Sequence, residues 1–332
     1  MRRALLAAVL LLGVSPHVAS AAPRGAPDRI GLARAADHRD RPGALSDRWT
    51  VRLLDPRSQG WLEITVAREF QERSVLVFGY DRAGEGVYQR FTVTQVAATS
   101  RTLDARGPDG GVAIRAGGRR IALTGPLASG KLRLRRARRG PAASGWRLGE
   151  GFGPHPARFR PVTLSWSMPI ATSTTRGALQ LPDGRRFRID GWRASYEHGW
   201  GDILLGDGAW DYWNQAVVHD RRGGAWIAYG LNRVDTVTGD GARDAQWLGV
   251  LARVRGRGVR VCRPRVIRRG WQYTFPGIAR WSTRASFRCD GLRLKVRIPI
   301  PSIVTEYVTH TEFRDRIPGR TGLAFNLAHD HG

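Results

Sequence analysis

The fold is decided by residues 61–96, WLEITVAREFQERSVLVFGYDRAGEGVYQRFTVTQV. Apolar and polar residues alternate over Trp61 to Val66 and again over Gln89 to Val96, and a continuous apolar run extends from Ser74 to Tyr80. Alternation with a period of two is typical of half-buried β-strands, and short apolar runs between turn residues are typical of buried ones. The segment 81–86 has the composition of a turn. The stretch therefore predicts consecutive strands joined by short turns.

The same pattern continues along most of the chain. Turn residues recur at 107–111, and Asp183-Gly184 separates residues 177–179 from residues 187–189 as in a β-hairpin. Many short strands at spacings of about ten residues predict barrels or sandwiches. The basic stretch 135–145, rich in Pro, Ala and Gly, predicts a long loop. The sequence thus predicts an all-β protein.

The N-terminus has the features of a secretory signal peptide. It begins Met1-Arg2-Arg3, continues with an apolar run from Ala4 to Val14 that is too short to span a bilayer, and reaches small residues at Ala19-Ser20-Ala21. We therefore expect a signal peptide over residues 1–21 and a secreted or extracytoplasmic protein. Residues 22–45 are rich in Ala, Pro, Gly and Arg without an apolar period, which predicts a flexible leader.

The formal net charge of +26 raises the question of an anionic partner. In residues 131–135 and 292–298, cations alternate with aliphatic residues, which places the charges on the solvated face of a sheet. No helix-turn-helix, zinc-finger or RNA-binding aromatic signature accompanies them, so we expect no nucleic-acid partner. Loose electrostatic attraction to an anionic membrane or cell-wall surface fits the charge better. The sequence does not predict the oligomeric state.

The chain contains two cysteines, Cys262 and Cys289, on neighbouring candidate strands. In an exported protein such a pair favours a disulfide, which would stabilise the fold by roughly 3 to 4 kcal/mol in the chain-entropy model. Two buried free thiols are the alternative interpretation. Two cysteines alone form no structural zinc site, and we expect neither a metal nor another cofactor.

A cluster of aromatic and ionisable residues marks the candidate site, Ser195-Tyr196-Glu197-His198-Gly199-Trp200-Gly201-Asp202 followed by WDYWNQ at 210–215. In a strand, Tyr196, His198 and Trp200 point to one face and Glu197 points to the other. Imidazole titrates near neutral pH, and aromatic walls present apolar surface that also stabilises a developing positive charge. This combination suits a hydrophobic, electron-rich ligand. The same spacing also fits packed core residues around a hydrogen-bonded structural histidine.

These residues, together with Trp166-Ser167-Met168-Pro169-Ile170, Gly177-Ala178-Leu179 and Asp190-Gly191, resemble the carotenoid 1,2-hydratase family. The family is also called AttH-like or hydroxyneurosporene-synthase-like, and its signature reads Tyr-x-(Asp/Glu)-His-Asn-Trp-Gly. The resemblance extends over about residues 160–235, and the family itself resembles kievitone hydratase and some fungal pericyclase-type proteins. It implies two lipocalin-like (calycin) β-barrels in tandem, which we place at residues 46–192 and 193–332. It also implies a hydrophobic small molecule, of isoprenoid, lipid or polyketide type, as the ligand.

The resemblance further implies acid-catalysed hydration of an alkene, or a cyclisation that passes through a similar cation. The residues expected to be catalytic are His198 as the proton donor, Tyr229 to orient the proton, Trp200 to shield the cation and Glu197 as a donor if its strand twists inward. The residues expected to bind the ligand through an aromatic wall are Tyr196, Trp210, Tyr212 and Trp213.

The chain departs from the family pattern at two positions. Gly199 replaces the family's asparagine, and Leu231 stands where the family's acid is expected, two residues after Tyr229. Hydration of an isolated alkene requires a strong proton donor in a dry pocket, and the missing acid therefore favours the alternative of a non-catalytic, secreted carrier of lipid-like molecules. A cell-envelope protein that acts through its arginine surface is a third interpretation.

Overall fold

The structure is a computed structural model that describes residues 27–57, 60–69, 72–150, 161–201, 212–220, 222–233, 246–263, 265–273, 280–297, 301–303, 311–315 and 320–328. The regular elements in these residues are β-strands and a single 3-10 turn at Ala35–His38. The all-β prediction is therefore confirmed. The predicted signal peptide, residues 1–21, lies outside the described residues. In the described part of the chain, no helix is long and apolar enough to cross a membrane.

The first fourteen strands belong to one sheet. Their bounds are β1 Arg29–Leu32, β2 Ser46–Leu54, β3 Trp61–Glu69, β4 Glu72–Tyr80, β5 Gly86–Thr92, β6 Gln95–Ala98, β7 Leu103–Gly107, β8 Gly110–Arg115, β9 Arg120–Thr124, β10 Ser129–Arg138, β11 Pro141–Glu150, β12 Pro161–Gln180, β13 Arg186–Arg188 and β14 Arg193–Gly201. The main path of hydrogen-bonded neighbours runs β5-β4-β3-β2-β14-β12-β10-β9-β8-β7-β6, and β1, β11 and β13 pair beside it.

This sheet curls until its two ends meet. The end strands of the path, β5 and β6, are separated in the chain by Val93 and Thr94 alone. The Val93 N–H donates to the carbonyl of Arg73 in β4 over 2.9 Å, and the Thr94 N–H donates to the carbonyl of Arg106 in β7 over 2.8 Å. The single strand predicted from Gln89 to Val96 is therefore two strands, because the chain bends here from one end of the sheet to the other.

Alternate apolar residues fill the inside of the curled sheet, as the period of two predicts. On β2 and β3 these residues are Trp49, Val51, Leu53, Leu62, Ile64 and Val66, each nearly inaccessible to solvent. Complete burial of a side chain of this size stabilises the fold by about 1.5–3 kcal/mol. The apolar pattern that decides the fold is therefore the lining of this interior.

The remaining ten strands form two smaller sheets. Their bounds are β15 Tyr212–Asp220, β16 Ala225–Arg233, β17 Gln246–Arg255, β18 Gly258–Cys262, β19 Arg265–Tyr273, β20 Arg280–Cys289, β21 Leu292–Arg297, β22 Pro301–Ile303, β23 Thr311–Asp315 and β24 Arg320–Ala328. The seven-stranded sheet has the order β18-β17-β16-β15-β24-β23-β22, and the three-stranded sheet has the order β19-β20-β21.

A second apolar core lies where the two larger sheets pack together. The fourteen-stranded sheet contributes Ala143, Trp146, Trp166, Met168 and Ala171. The seven-stranded sheet contributes Val217, Ala225, Ile227, Tyr229, Val250, Ala252 and Val254. The outer face of the curled sheet is therefore buried on this side by a second layer.

Two predicted turns are confirmed, and one predicted loop is wrong. Gly107 pairs with Gly110 across the β7–β8 hairpin, and Gly184, at a φ of 82°, turns the chain between β12 and β13. The stretch predicted as a loop, 135–145, instead continues β10 to Arg138 and begins β11 at Pro141. Its buried residues, Ala142 and Ala143, are too small to produce the apolar pattern of a strand.

Ordered elements occupy part of the segment that the sequence predicts to be a flexible leader. β1 pairs antiparallel with β11, from Arg29 opposite Ser144 to Leu32 opposite Pro141. The 3-10 turn buries Asp37 and His38. Hydrogen bonds rather than an apolar stripe hold this segment, which is why its composition resembles that of a leader.

The domain boundary that the sequence places between residues 192 and 193 stays a prediction. β14, which follows that position, pairs with β2 from Arg193 to Gly201 and with β12 on its other side. The strand that carries the histidine-tryptophan motif is therefore an interior strand of the fourteen-stranded sheet.

The predicted pairing of Cys262 with Cys289 is present as a disulfide that joins the end of β18 to the end of β20, with 6.1 Å between the Cα atoms. It closes a loop of 27 residues and links the two smaller sheets. We expect the double variant Cys262→Ser/Cys289→Ser to lower the free energy of unfolding by about 3 kcal/mol, because the unfolded chain regains the freedom that the crosslink removes. Urea unfolding of the variant and of the oxidised protein checks this, and coincident transitions would contradict it.

Candidate functional site

β14 presents its side chains to two separate buried regions. Tyr196, His198 and Trp200 face the inside of the curled sheet, whereas Glu197 faces the layer formed by the seven-stranded sheet. The structure therefore divides the four residues that the sequence predicts to be catalytic. His198 and Trp200 lie on the inner face, and Glu197 and Tyr229 lie on the outer one.

Both ring nitrogens of His198 are engaged by acceptors. The Nδ1 atom contacts the carbonyl oxygen of Asp37, and the Nε2 atom lies 2.5 Å from Oδ1 of Asp47. A carbonyl and a carboxylate only accept hydrogen bonds, so each ring nitrogen of His198 faces an acceptor, and the ring pairs with Asp47. The side chain of His198 is completely buried.

Asp47 is a buried carboxylate with several donors. Besides His198, it accepts hydrogen bonds from the Arg41 N–H over 2.7 Å and from Nη2 of Arg68 over 2.8 Å. These bonds, with the contact to His198, satisfy the buried carboxylate. Together, His198 and Asp47 fasten the segment 37–47 to the inner face of β14.

Two tryptophans hold the His198 ring between them. Trp49 stacks on it with ring centroids 4.5 Å apart, and Trp200 stacks on the other side at 4.7 Å. The sequence predicts an imidazole framed by the rings of Tyr196 and Trp200. The prediction is wrong for Tyr196, because Trp49 of β2 lies directly opposite His198 in the sheet and takes that place. Stacking on aromatic faces stabilises a cationic ring.

Tyr196 instead contacts a second histidine. Its hydroxyl donates to Nε2 of His38 over 2.7 Å, and Nδ1 of His38 donates to the carbonyl of Thr99 over 2.6 Å. Burial, assisted by the nearby His198, lowers the pKa of His38 to about 4. Burial, with a smaller contribution from Asp47, raises the pKa of Tyr196 well above its ordinary value. We call the group His38, Asp47, Tyr196 and His198 the imidazole cluster; it contains two hydrogen-bonded pairs, Tyr196 with His38 and His198 with Asp47.

A second polar group lies on the opposite face of β14, between the two larger sheets. Arg52 in β2 donates to Oε2 of Glu63 over 2.8 Å and also contacts Oε1 of Glu197. The Nε1–H of Trp166 donates to Oε2 of Glu197 over 3.1 Å. All four side chains are buried. Removing a charge from water is costly, so a buried carboxylate is normally paired with a cation, here Arg52. Buried ionisable groups of this kind are frequent in functional sites.

Tyr229 joins this group through an aromatic stack. Its ring lies on that of Trp166 at a centroid distance of 4.2 Å and an interplanar angle of 8°, and Trp146 contacts it at 5.7 Å. We call Arg52, Glu63, Glu197, Trp166 and Tyr229 the inter-sheet cluster. The carboxylates and the aromatic faces of this cluster are groups that stabilise positive charge.

The cluster has room at the position where the family signature carries asparagine. Gly199 lies opposite Trp166 in the adjacent strand, and a Cβ atom added to Gly199 would approach no atom of another residue more closely than 3.9 Å. The backbone at Gly199 does not require glycine, because its φ lies outside the left-handed region. The absence of a side chain here therefore widens the space beside Trp166.

A third buried histidine, His219 of β15, bridges the two larger sheets. Its Nδ1 atom lies 3.0 Å from the hydroxyl of Thr172 in β12, while its buried Nε2 atom has no hydrogen-bond partner among the residues that the structure describes. Burial, assisted by the positive charge of Arg193, lowers the pKa of His219 to about 3. The ring is therefore neutral at physiological pH.

Three of the residues predicted to bind the ligand are not placed in either cluster. Trp210 lies outside the described residues. Tyr212 and Trp213 are the first two residues of β15, where they pair with Asn232 and Leu231 of β16. Leu231, at the position of the expected acid, lies in β16 two residues after Tyr229. The predicted aromatic wall at Trp210, Tyr212 and Trp213 stays a prediction.

Sequence reasoning missed several members of the two clusters. These are His38 and Asp47 in the imidazole cluster and Arg52 and Glu63 in the inter-sheet cluster; Trp49, which stacks on His198, was missed as well. A signal existed for two of them, since Arg52 and Glu63 are charged residues at alternate positions of otherwise apolar strands. His38 carried no such signal, because it lies in a segment without any apolar period.

Comparison with solved structures supports the fold. The chain is similar to the crystal structure of a candidate AttH protein from Nitrosomonas europaea, with a TM-score of 0.53 and 11% identity over 93% of this chain and 99% of the other. It is also similar to CghA, with a TM-score of 0.52 and 12% identity over 87% of this chain and 89% of the other. No protein-family model matches the chain, and no curated protein matches its sequence. At this identity, the likeness shows an AttH-like fold and no more.

Proposed function

We propose that this chain is an exported protein with an AttH-like fold that holds a hydrophobic, alkene-containing molecule at the inter-sheet cluster and promotes its hydration or cyclisation. The observation that carries the proposal is the hydrogen bond of a buried carboxylate, Glu197, with Trp166, whose ring stacks on that of Tyr229. Addition of a proton to an alkene creates a cation, and negative charge and π faces directed at that cation lower the barrier. The disulfide supports export, since disulfides persist in oxidising compartments.

The inner face of β14 is less suited to this chemistry. His198 can transfer a proton to a ligand only if one of its two hydrogen bonds opens, and the segment 37–47 lies between its ring and any ligand on that side. Tyr229 lies at the packing interface of the two sheets, where its ring stacks on Trp166, the hydrogen-bond partner of Glu197. We therefore assign the proton transfer to Tyr229 and the stabilisation of the cation to Glu197 and Trp166.

A non-catalytic carrier is the second candidate. The engagement of His198 and the presence of Leu231 at the position of the expected acid both favour it, because they remove the two groups best suited to protonate an alkene. Native mass spectrometry of protein purified from its own host separates the two candidates. A bound molecule that is released unchanged supports the carrier, and a hydrated or cyclised product supports the enzyme.

We expect Tyr229→Phe to lower turnover of the molecule so identified by about 100-fold or more, the usual contribution of a positioned acid or base. Phenylalanine keeps the stack on Trp166 and removes only the hydroxyl, so the fold and the retention of the ligand should be unchanged. Tyr80→Phe is the matched control, because Tyr80 is 47% exposed and belongs to neither cluster. Equal turnover by the Tyr229→Phe and Tyr80→Phe variants would contradict the assignment.

A further inference from the structure

One outer face of the curled sheet carries cations without counter-ions. On β9, β10, β12 and β13 the inward residues are apolar, and the outward ones include seven exposed cations. These are Arg120, Lys131, Arg133, Arg135, Arg176, Arg186 and Arg188, which we call the arginine face. Among the described residues, none of the seven forms an ion pair with a carboxylate.

The register places like charges directly opposite one another. Arg133 of β10 lies opposite Arg120 of β9 on one side and opposite Arg176 of β12 on the other. Lys131 and Arg188 similarly flank Ala178 in the next row. Since neighbouring strands are about 4.8 Å apart, three guanidinium groups occupy a row only about 10 Å wide. Like charges directly opposite each other destabilise a sheet, so this row is unfavourable unless an anionic partner neutralises it.

The hairpin that joins β9 to β10 adds an apolar contact at the end of this face. Leu127, at its tip, is 48% exposed, although the next residue, Ala128, is buried. The side chain of Gln89 holds the tip in place, accepting hydrogen bonds from the Leu127 N–H over 2.8 Å and the Ala128 N–H over 3.2 Å. An exposed apolar side chain and a basic surface together anchor proteins on membranes. Leu127 and the arginine face provide these two features side by side.

We propose that the arginine face docks on the surface of an anionic lipid bilayer, with Leu127 entering the interfacial region. The cations are arranged over four strands in two dimensions, which matches an array of lipid headgroups better than the single line of phosphates of a linear polyanion. This inference goes beyond the proposed function and does not depend on it, because the arginine face and the inter-sheet cluster share no residue.

Co-sedimentation with vesicles tests the proposal at about 0.1 M salt, where exposed charges more than about 10 Å apart are largely screened from each other. We expect the protein to bind vesicles of phosphatidylcholine with phosphatidylglycerol and not vesicles of phosphatidylcholine alone. The triple variant Arg120→Gln/Arg133→Gln/Arg176→Gln should bind about 100-fold more weakly, since each cation near an anionic surface contributes about 1 kcal/mol. Its melting temperature should not fall, because the variant relieves repulsion. Leu127→Asp should weaken binding further.

The matched control is Arg255→Gln/Arg257→Gln/Arg293→Gln, which removes the same charge from exposed positions on the two smaller sheets. We expect this control to bind within about threefold of the unmodified protein. An equal loss in both triple variants, undiminished binding by the arginine-face variant, or equal binding to neutral vesicles would overturn the proposal. Binding to double-stranded DNA with no binding to anionic vesicles would also overturn it, in favour of a linear polyanion. Turnover or ligand retention by the same variants reports separately on the inter-sheet cluster.

Discussion

Acidification from pH 7 to pH 4 should lower the free energy of unfolding by about 3 kcal/mol through His38 alone, at 1.36 kcal/mol for each unit of pKa shift. His38 is neutral in the folded protein, where its pKa is about 4, against 6.5 as the ordinary value. Between these values the unfolded chain binds a proton that the folded protein does not bind. Stability is therefore complete above about pH 6.5 and falls as the pH decreases through this window. His219, with a pKa of about 3, adds a loss of the same sign that extends to lower pH.

Urea unfolding at pH 7, 6, 5 and 4 measures this dependence. The variant His38→Gln retains a donor for the carbonyl of Thr99 and an acceptor for the hydroxyl of Tyr196, but it does not titrate. We expect its stability to decrease less steeply between pH 6.5 and 4 than that of the unmodified protein. A parallel decrease in the two proteins would show that His38 is already protonated or exposed in the folded state.

The second large effect is expected at His198. Its replacement by alanine should lower the free energy of unfolding by about 3–5 kcal/mol, the usual cost of removing one partner of a buried ion pair. Asp47 and the carbonyl of Asp37 would both lose the contact with the His198 ring. The cavity between Trp49 and Trp200 adds to the loss.

His198→Phe separates the polar contribution from the stacking contribution. Phenylalanine retains an aromatic ring between the two tryptophans but offers no N–H donor, so we expect a smaller loss of stability than for alanine and unchanged retention of the ligand. Denaturation curves and native mass spectrometry of both variants provide the measurement. A His198→Phe variant of unchanged stability that has lost all turnover would instead favour the proton-donor role that the sequence predicts for His198.

The period of two predicts the faces of the strands well, because the direction of alternate side chains is a local property of the chain. It correctly separates Glu197 from Tyr196, His198 and Trp200 on β14. It fails at residues 135–145, where the buried residues are alanines and the strands are specified by pairing with β12 rather than by their own composition. Bends such as the one at Val93 likewise depend on the closure of the sheet and not on local sequence.

The partners of the site residues depend on contacts between distant parts of the chain, which one sequence does not contain. His198 meets Asp37 and Asp47 across about 150 residues, at separations of 161 and 151 positions. Glu197 meets Arg52 across 145 positions because β2 and β14 are neighbours in the sheet. The contact between Tyr229 and Trp166 further requires that two sheets pack face to face. The sequence therefore identifies the reactive residue types but not which of them share a site.

A crystal structure of the protein with the molecule retained from its own host tests the central claim most directly. We predict that this molecule lies between the two larger sheets, in contact with Trp166 and Tyr229, and that both nitrogens of His198 keep their bonds to Asp37 and Asp47. A ligand on the inner face of β14, within hydrogen-bonding distance of the His198 ring and with one of those bonds broken, would contradict the account.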